Sequence, residues 1–550
     1  MSENFSPFHN QRSSYSPRLP KALQGSTAIQ VVENAPRTND PEIAKLFPNT
    51  SDLKTVKLVP ANGDVITGSD ALTVGVVLSG GPAPGGHNSI AGLYDALKKQ
   101  NPKSKLYGFL NGPLGVIQGD HLELTEEIIN KYRNTGGFDM IGSGRDKIES
   151  DEDVERCARS LSILGVKALV VIGGDDSNTN AAVLAEELKS RNTNIQVIGL
   201  PKTIDGDMRS DLIETSFGFD TAAKTYSNLV SNIARDSKSA RKYTHIIKLM
   251  GRAASHVALE VALQVRPNLT IISEEVEKRG LTLTDIVEQV VDVVLRRSKA
   301  GKDYGVIVIP EGLLEFLVDF KELLKELSIL LRDEEEVLNS YHSDEDRRQF
   351  VSLKLSNESA RVYSTLPDSI QHTLLKPDKH GNITVSQIET DVLITDLVKL
   401  RLREEKMLGH FRGTFSPISH FFGYEGRCVP PSNFDAEYCY ALGYSAVQLI
   451  NAGLTGYTVY GQNLLASPED WIMGGVPVTS MINFELRKGK MKPVIKKALV
   501  ELEGKPFKEF AANRDNWIEN DAYRFVGPIQ YYGPEDLVDA RTLTLTYERS

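Results

Sequence analysis

The sequence predicts an α/β protein made of two Rossmann-like halves, each a three-layer α/β/α arrangement around a mostly parallel sheet. Three observations point there. From Leu72 onward the chain repeats one pattern, a short run of β-branched and apolar residues, then a Gly or Pro turn, then a helical stretch. The runs are almost continuously apolar rather than alternating, as expected of strands covered on both faces of a parallel sheet. The chemically unusual residues gather at the carboxyl ends of these runs, where open α/β sheets bind ligands.

In chain order, strands are expected within "LTVGVVLSGG" (72–81), "KLYGFLNGP" (105–113), "KALVVIGGDD" (167–176), "IQVIGLPKTID" (195–205), "YTHIIKLMGR" (243–252), "LTIISEEV" (269–276), "GVIVIPEG" (305–312) and "TGYTVYGQ" (455–462). The opening stretch up to Arg18 is rich in Ser, Pro, Asn and Arg and reads as a mobile tail, part of an N-terminal extension over 1–70. The first half is then placed at 71–240 and the second at 241–550, with a C-terminal tail expected to pack back on the first half. Residues 314–403 break the repeating pattern with charge-rich helical stretches and the turn "KPDKHGN", and read as a helical insertion whose charges are solvated helix faces.

A chain of 550 residues with 40% hydrophobic content is long enough for two or three domains of roughly 100–200 residues each. Its net charge of −10 argues against nonspecific nucleic-acid binding, which depends on clustered Lys and Arg. Cys157, Cys428 and Cys439 have neither C-x-x-C spacing nor the density of a disulfide framework, so a reducing compartment is expected and no zinc site is suggested. No window has the roughly 18 apolar residues of a membrane span, and the amino terminus lacks an apolar signal core. A cytoplasmic protein is the expectation.

Four clusters carry candidate chemistry. In "LSGGPAPGGHNSI", Gly80, Gly81, Gly85 and Gly86 can bring backbone N–H groups to an anion at a helix N-terminus, although neither G-x-x-x-x-G-K-[ST] nor G-x-G-x-x-G is spelled out and a plain tight turn competes. In "GGDDSNTNAA", Ser177 or Asn178 could cap the helix, but Asp175 beside Asp176 puts two repelling carboxylates at one strand end, an arrangement that a cation would relieve. "PKTIDGD" groups Lys202, Asp205 and Asp207 as a cation, a possible base and a further acid, with an Asp-Gly turn as the simpler reading. "KLMGRAASH" puts Arg252 after a strand, where a guanidinium can grip phosphate, while His256 reads as packed. Glu311 in "VIPEG", and Tyr424 and Arg427 in "FFGYEGRCVPPSNFD", occupy comparable positions.

Together these segments resemble the phosphofructokinase family, most closely its pyrophosphate-dependent branch of long chains. The resemblance covers about 72–312 and 409–467 through "GGPAPGGHNSI", "GGDDSNTNAA", "PKTIDGD", "SFGFDTA", "LMGRAASH", "PEG" and "GYEGR", in that order. It implies reversible, magnesium-dependent phosphoryl transfer from pyrophosphate to the 1-hydroxyl of fructose 6-phosphate, giving fructose 1,6-bisphosphate and phosphate. By motif, Asp205 would accept the hydroxyl proton, Asp175 would hold Mg2+, and Gly81 and Lys202 would contact pyrophosphate. Lys202, Thr203 and Arg252 would neutralise or orient the transferred group. The sugar-phosphate residues implied are Thr203, Ile204, Asp205, Met250, Gly251, Arg252, Glu311, Tyr424, Glu425, Gly426 and Arg427. Lys242 and Tyr243 in "RKYTH" match a position serving a neighbouring subunit, which implies a homodimer or homotetramer. Arg145 in "GSGRDK" matches a further phosphate-site segment.

Two departures from the ATP-using relatives bear on the donor. Where those relatives read GGDG and PGTIDND, this chain reads "GGDD" and "PKTIDGD". Asp176, counted with the catalytic set, would exclude a nucleotide by bulk and like charge, and Lys202 would offer pyrophosphate a compensating cation. The alternatives kept open are a catalytically silent subunit of such an enzyme and an ATP-dependent phosphofructokinase.

Overall fold

The computed structural model describes residues 6–33, 35, 40–61, 70–376, 383, 388–487 and 490–550. Of the "KPDKHGN" turn only Lys376 falls within them. Numbering strands along the chain, the larger sheet has the order β1 (Thr27–Val31), β2 (Val56–Pro60), β14 (Ile472–Pro477), β13 (Tyr457–Gln462), β7 (Gln196–Thr203), β6 (Ala168–Gly173), β3 (Thr73–Leu78), β4 (Lys105–Phe109), β5 (His121–Glu123), with β8 (Phe217–Gly218) paired to β7. Its centre, β13 to β4, is parallel, and both flanks are antiparallel. The smaller sheet, β10 (Leu269–Thr270), β11 (Gly305–Pro310), β9 (Thr244–Leu249) and β12 (Pro417–Phe422), is parallel throughout. A separate ribbon pairs β15 (Ile482–Arg487) with β16 (Lys490–Ile495).

Two compact units result, Met1–Thr225 with Tyr424–Ala498 and Ile529–Arg549, and Tyr226–Gly423 with Leu499–Pro528 and Ser550. The cut expected between 240 and 241 is therefore replaced by an interleaved one. The reason is strand pairing: the edge of β7 is completed by β13, in register Ile198 with Tyr457, which draws "TGYTVYGQ" into the first sheet. The strand expected at 269–276 is short because a helix takes over its second half. Only Leu269–Thr270 pairs, and Ser273–Arg279 is helical, with Glu274 and Glu275 in the first turn where the helix dipole favours acids. Among the described residues no helix is long and apolar enough to cross a membrane.

Residues 1–5 of the expected mobile tail lie outside the described residues, and the described part, from Ser6 to Arg18, is instead anchored. Arg12 is fully buried, donates to the Pro431 carbonyl at 3.1 Å and lies between the rings of Tyr15 and Tyr531. Arg18 bridges Glu437 and Asp539, each at 2.6 Å, and the Glu437 side chain has no exposure, so its charge depends on that partner. Composition marks these residues as loop formers, but the fold brings the two arginines acceptors and a second ring from residues 431–539.

In the second unit one apolar cluster joins Ile246, Ile307 and Ile309 of the sheet to Phe320, Leu323, Leu327, Val362, Leu393 and Val398 of the 314–403 helices. The insertion thus shares the unit's core, and not all of its charges are solvated: Asp391 is buried, 3.3 Å from the buried Lys248 ammonium. In the first unit, helices Gly86–Gln100 and Asn433–Asn451 pack backbone to backbone. A Cβ at Gly443 would stand 2.0 Å from the Ser89 carbonyl oxygen, and one at Gly92 would stand 2.2 Å from that of Tyr440. Gly443→Ala gains helix propensity of about 0.5–1 kcal/mol but must push the helices apart, at a cost of about 1–3 kcal/mol. A lower urea midpoint with unchanged slope is expected, and an unmoved midpoint would show that the helices separate freely.

Candidate active site

Three strand ends of the first unit meet at one place. After β3 the chain turns through Gly80 at φ +84°, whose N–H donates to the Gly144 carbonyl, and Ser79 pairs with Gly144. That pairing fastens the "GSGRDK" segment beside the glycine turn. The absence of a side chain at Gly81 leaves room for Arg427, since a Cβ there would lie 1.8 Å from its Nη1 and displace the guanidinium. The Gly81 carbonyl accepts from Lys202 Nζ at 2.9 Å. Gly81, Lys202 and Arg427 therefore form one group, although they come from widely separated motifs.

Lys202 is 7% exposed, at the end of β7. Burial first, then the Arg427 guanidinium, pushes its ammonium down to about 8, against the pull of Asp205 and Asp175. The following turn is built by Thr203 Oγ1, which accepts from the Asp205 N–H at 3.0 Å, and by Gly206 at φ +74°. Ile204 is buried and anchors the turn. Burial and the carboxylates of Asp205 and Asp175 push Asp207 up to about 7, with Lys497 opposing.

The adjacent aspartates diverge. Both lie in the first turn of helix Asp175–Ser190, whose N-cap is Gly174 rather than Ser177 or Asn178. The two expected caps are spoken for: Ser177 donates to Ser79 Oγ, and Asn178 donates to the carbonyls of Gly173, Gly174 and Leu200. Asp175 turns inward, its Oδ2 buried, without a hydrogen-bond partner and 3.6 Å from Lys497 Nζ. Asp176 is half exposed and lies 3.5 Å from Lys147 Nζ. Arg145 is exposed nearby in sequence, and its charge is felt by Lys202.

Tyr424–Gly426 is one turn of 3-10 helix that delivers Arg427, whose guanidinium lies 5.8 Å from the Tyr424 ring centre. Tyr424 and Glu425 are exposed and Gly426 is buried. These four residues belong to the first unit, together with Gly81 and Lys202.

In the second unit, Met250, Gly251 and Arg252 follow β9, and Glu311 follows β11. Met250 N–H donates to the Phe422 carbonyl, and Gly251, at φ +129°, donates to Glu311 Oε2 at 3.3 Å. Gly312 lets the two strand ends touch, since a Cβ there would be 1.9 Å from the Arg252 carbonyl oxygen. Arg252 itself is exposed, and His256 is buried in the next helix. Lys242 and Tyr243, joined by a cation–π contact of 4.9 Å, sit before β9, at the opposite end of that strand from Arg252. The motifs gave no sign of Lys497, which contacts Asp175 from outside every glycine-rich segment, and Lys147, at the end of "GSGRDK", was not singled out there although it contacts Asp176.

The phosphofructokinase family model matches residues 73–450, and the chain belongs to that family. It is 50% identical over 549 residues to a pyrophosphate–fructose 6-phosphate 1-phosphotransferase of Porphyromonas gingivalis, covering 99% of each chain. To the protein so named in Entamoeba histolytica it is 46% identical over 551 residues, covering 100% of each. A solved structure, a pyrophosphate-dependent phosphofructokinase from Nitrosospira multiformis, aligns with TM-score 0.54 at 17% identity over 86% of this chain and 98% of that one, which speaks for the fold.

Proposed function

We propose that this chain transfers a phosphoryl group reversibly from pyrophosphate to the 1-hydroxyl of fructose 6-phosphate, giving fructose 1,6-bisphosphate and phosphate. The observation that carries the reading is Lys202, a buried ammonium held on the Gly81 carbonyl with Asp205 three residues further on. Full-length likeness to two enzymes bearing that activity in their names supports it.

Phosphoryl transfer needs positioning and charge stabilisation more than covalent chemistry. Asp205 takes the proton of the attacking 1-hydroxyl, its backbone held by Thr203. Lys202 and Arg427 neutralise the charge that grows on the leaving phosphate, and the Gly81 backbone lies against the donor. Arg252 and Glu311 hold the sugar phosphate, the first by charge and the second by accepting from hydroxyl groups.

The buried Asp175 Oδ2, which has no hydrogen-bond partner and whose charge is felt by Asp207, suits a hard cation. Among the described residues no set of three His, Cys, Asp or Glu side chains could hold a metal ion by itself. Magnesium takes one or two carboxylates and completes its shell with phosphate oxygens and water, so Asp175 would be the residue that holds it. When bound it neutralises and polarises the donor phosphates. Lys242 and Tyr243, roughly 20 Å from Arg252 along the six residues of β9, serve the site of a neighbouring copy in this reading, which makes the enzyme a homodimer or homotetramer. A cytoplasmic location is part of the same reading and agrees with three unpaired cysteines.

Purified protein assayed side by side with pyrophosphate and ATP tests the reading, and product with ATP alone would overturn it. A pH dependence follows from Lys202. Its charged form prevails below about pH 8, so the apparent KM for pyrophosphate rises as pH climbs through that value. Lys202→Arg, which cannot deprotonate there, should flatten this rise relative to the wild type. Identical profiles would remove Lys202 as the titrating group.

A further inference from the structure

Lys497 lies outside every motif, on the segment that leaves β16, yet the fold seats it with care. Ile495 N–H donates to Thr179 Oγ1 at 3.1 Å, and Thr179 is one turn along the helix that Asp175 begins. Ala498 N–H donates to the Asp207 carbonyl at 2.8 Å, and Lys496 N–H donates to that of Met481 at 2.9 Å. The Ile495 side chain packs with Ala182 and Met208, from the same helix and the same turn. Residues 495–498 are thus fastened both to the element that carries Asp175 and to the turn that carries Asp205 and Asp207.

The lysine's position has a chemical sense. At 3.6 Å its ammonium balances the Asp175 carboxylate without a hydrogen bond to Oδ2, and their side chains are only 29% and 20% exposed. An ion pair lacking a hydrogen bond is readily exchanged for a better one, and a lysine ammonium on a four-carbon stem can change partner without moving backbone. A pair without a hydrogen bond adds little stability, whereas the three main-chain hydrogen bonds of Ile495, Lys496 and Ala498 fix where the Lys497 stem begins, which points to a use other than the pair itself.

We propose that Lys497 is a positioning residue for the phosphoryl donor: in the ligand-free enzyme its ammonium compensates Asp175, and when magnesium and diphosphate arrive it shifts onto a phosphate oxygen. The inference rests on reading Asp175, Gly81 and Lys202 as the donor side. Lys497 then joins Lys202 and Arg427 as a third cation there, and its departure from Asp175 frees that carboxylate for the metal.

The test compares wild type, Lys497→Met and Lys497→Arg by calorimetric titration with magnesium imidodiphosphate, a diphosphate that resists transfer. Mn2+ alone is titrated by electron paramagnetic resonance, and fructose 6-phosphate binding serves as the reference. Loss of one charged hydrogen bond should weaken imidodiphosphate about 10- to 100-fold in Lys497→Met, with Lys497→Arg near the wild type. Mn2+ alone should bind the Met variant several-fold tighter, because its competitor is gone, and fructose 6-phosphate affinity should not move. Unchanged imidodiphosphate affinity, unchanged or weaker Mn2+ binding, or an equal loss of fructose 6-phosphate affinity would each overturn the inference. Wild-type protein that ignores imidodiphosphate would instead overturn the donor reading itself.

Discussion

Asp205→Ser should lower kcat by about 10²- to 10⁴-fold while leaving the KM for fructose 6-phosphate within a few-fold of wild type, the pattern of a lost general base. The geometry makes the substitution a clean one. The Asp205 backbone is set by its N–H to Thr203 Oγ1 and by Gly206 in the left-handed region, so serine keeps the turn and removes only the carboxylate. Removing that charge also relieves Asp207, whose carboxyl is held up partly by Asp205. The variant should therefore be no less stable than the parent, which separates a chemical defect from a folding one. Steady-state kinetics at saturating pyrophosphate, with a thermal melt beside them, make the check, and a kcat near that of the wild type would rule Asp205 out as the base.

Asp176→Gly should instead change the donor. Asp175 and Asp176 share a helix turn, but the first has its Oδ2 buried beside Lys497 and the second lies half exposed against Lys147. Removing a carboxylate from the path of a nucleotide relieves a like-charge repulsion of about 1 kcal/mol or somewhat more at a solvated site, as well as a steric obstruction. The expected result is a gain of roughly tenfold or more in kcat/KM with ATP and a decline with pyrophosphate. Asp175→Asn should depress turnover with either donor. If Asp176→Gly left both donors' kinetics unchanged, the exclusion argument would have no support.

Sequence reading reached those parts of the fold whose cause is local. Strands β3, β6, β7, β9 and β11 are buried over most or all of their length, and they stood out as unbroken apolar runs. Strand β12 did not, because "PISHFF" carries Ser419 and His420 and is only partly buried, and it completes its sheet only by pairing with β9. In "LTIISEEV" the apolar start looks like a strand, but the acids after it are better placed in the first turn of a helix. The site was legible wherever a strand end, a glycine and a charge coincide in one short stretch, as at Gly81, Asp175, Lys202 and Asp205. It was not legible where one charge answers another from far along the chain. Arg12, Arg18, Lys147 and Lys497 sit in segments of loop-like composition, and only the folded chain gives them acceptors. The boundary between units failed for the same reason, since strand pairing rather than chain proximity decides it.

The pairing of β7 with β13 also bears on how the molecule is made. Ile198 and Tyr457 are register partners, and the whole of the smaller sheet is encoded between them. On a ribosome adding roughly 5–20 residues per second, the edge of β7 is exposed for on the order of tens of seconds before its neighbour emerges. An open, apolar parallel edge is a template for the wrong partner, so this interval is the vulnerable one in biosynthesis. Tyr226–Gly423, all of the second unit except Leu499–Pro528 and Ser550, is already made in the meantime. Chains arrested just short of Tyr457 should be cut by protease around β6 and β7 while the smaller sheet resists, and extension through Ala498 should close the cleavage sites. Equal resistance in both arrested lengths would show that the larger sheet does not wait.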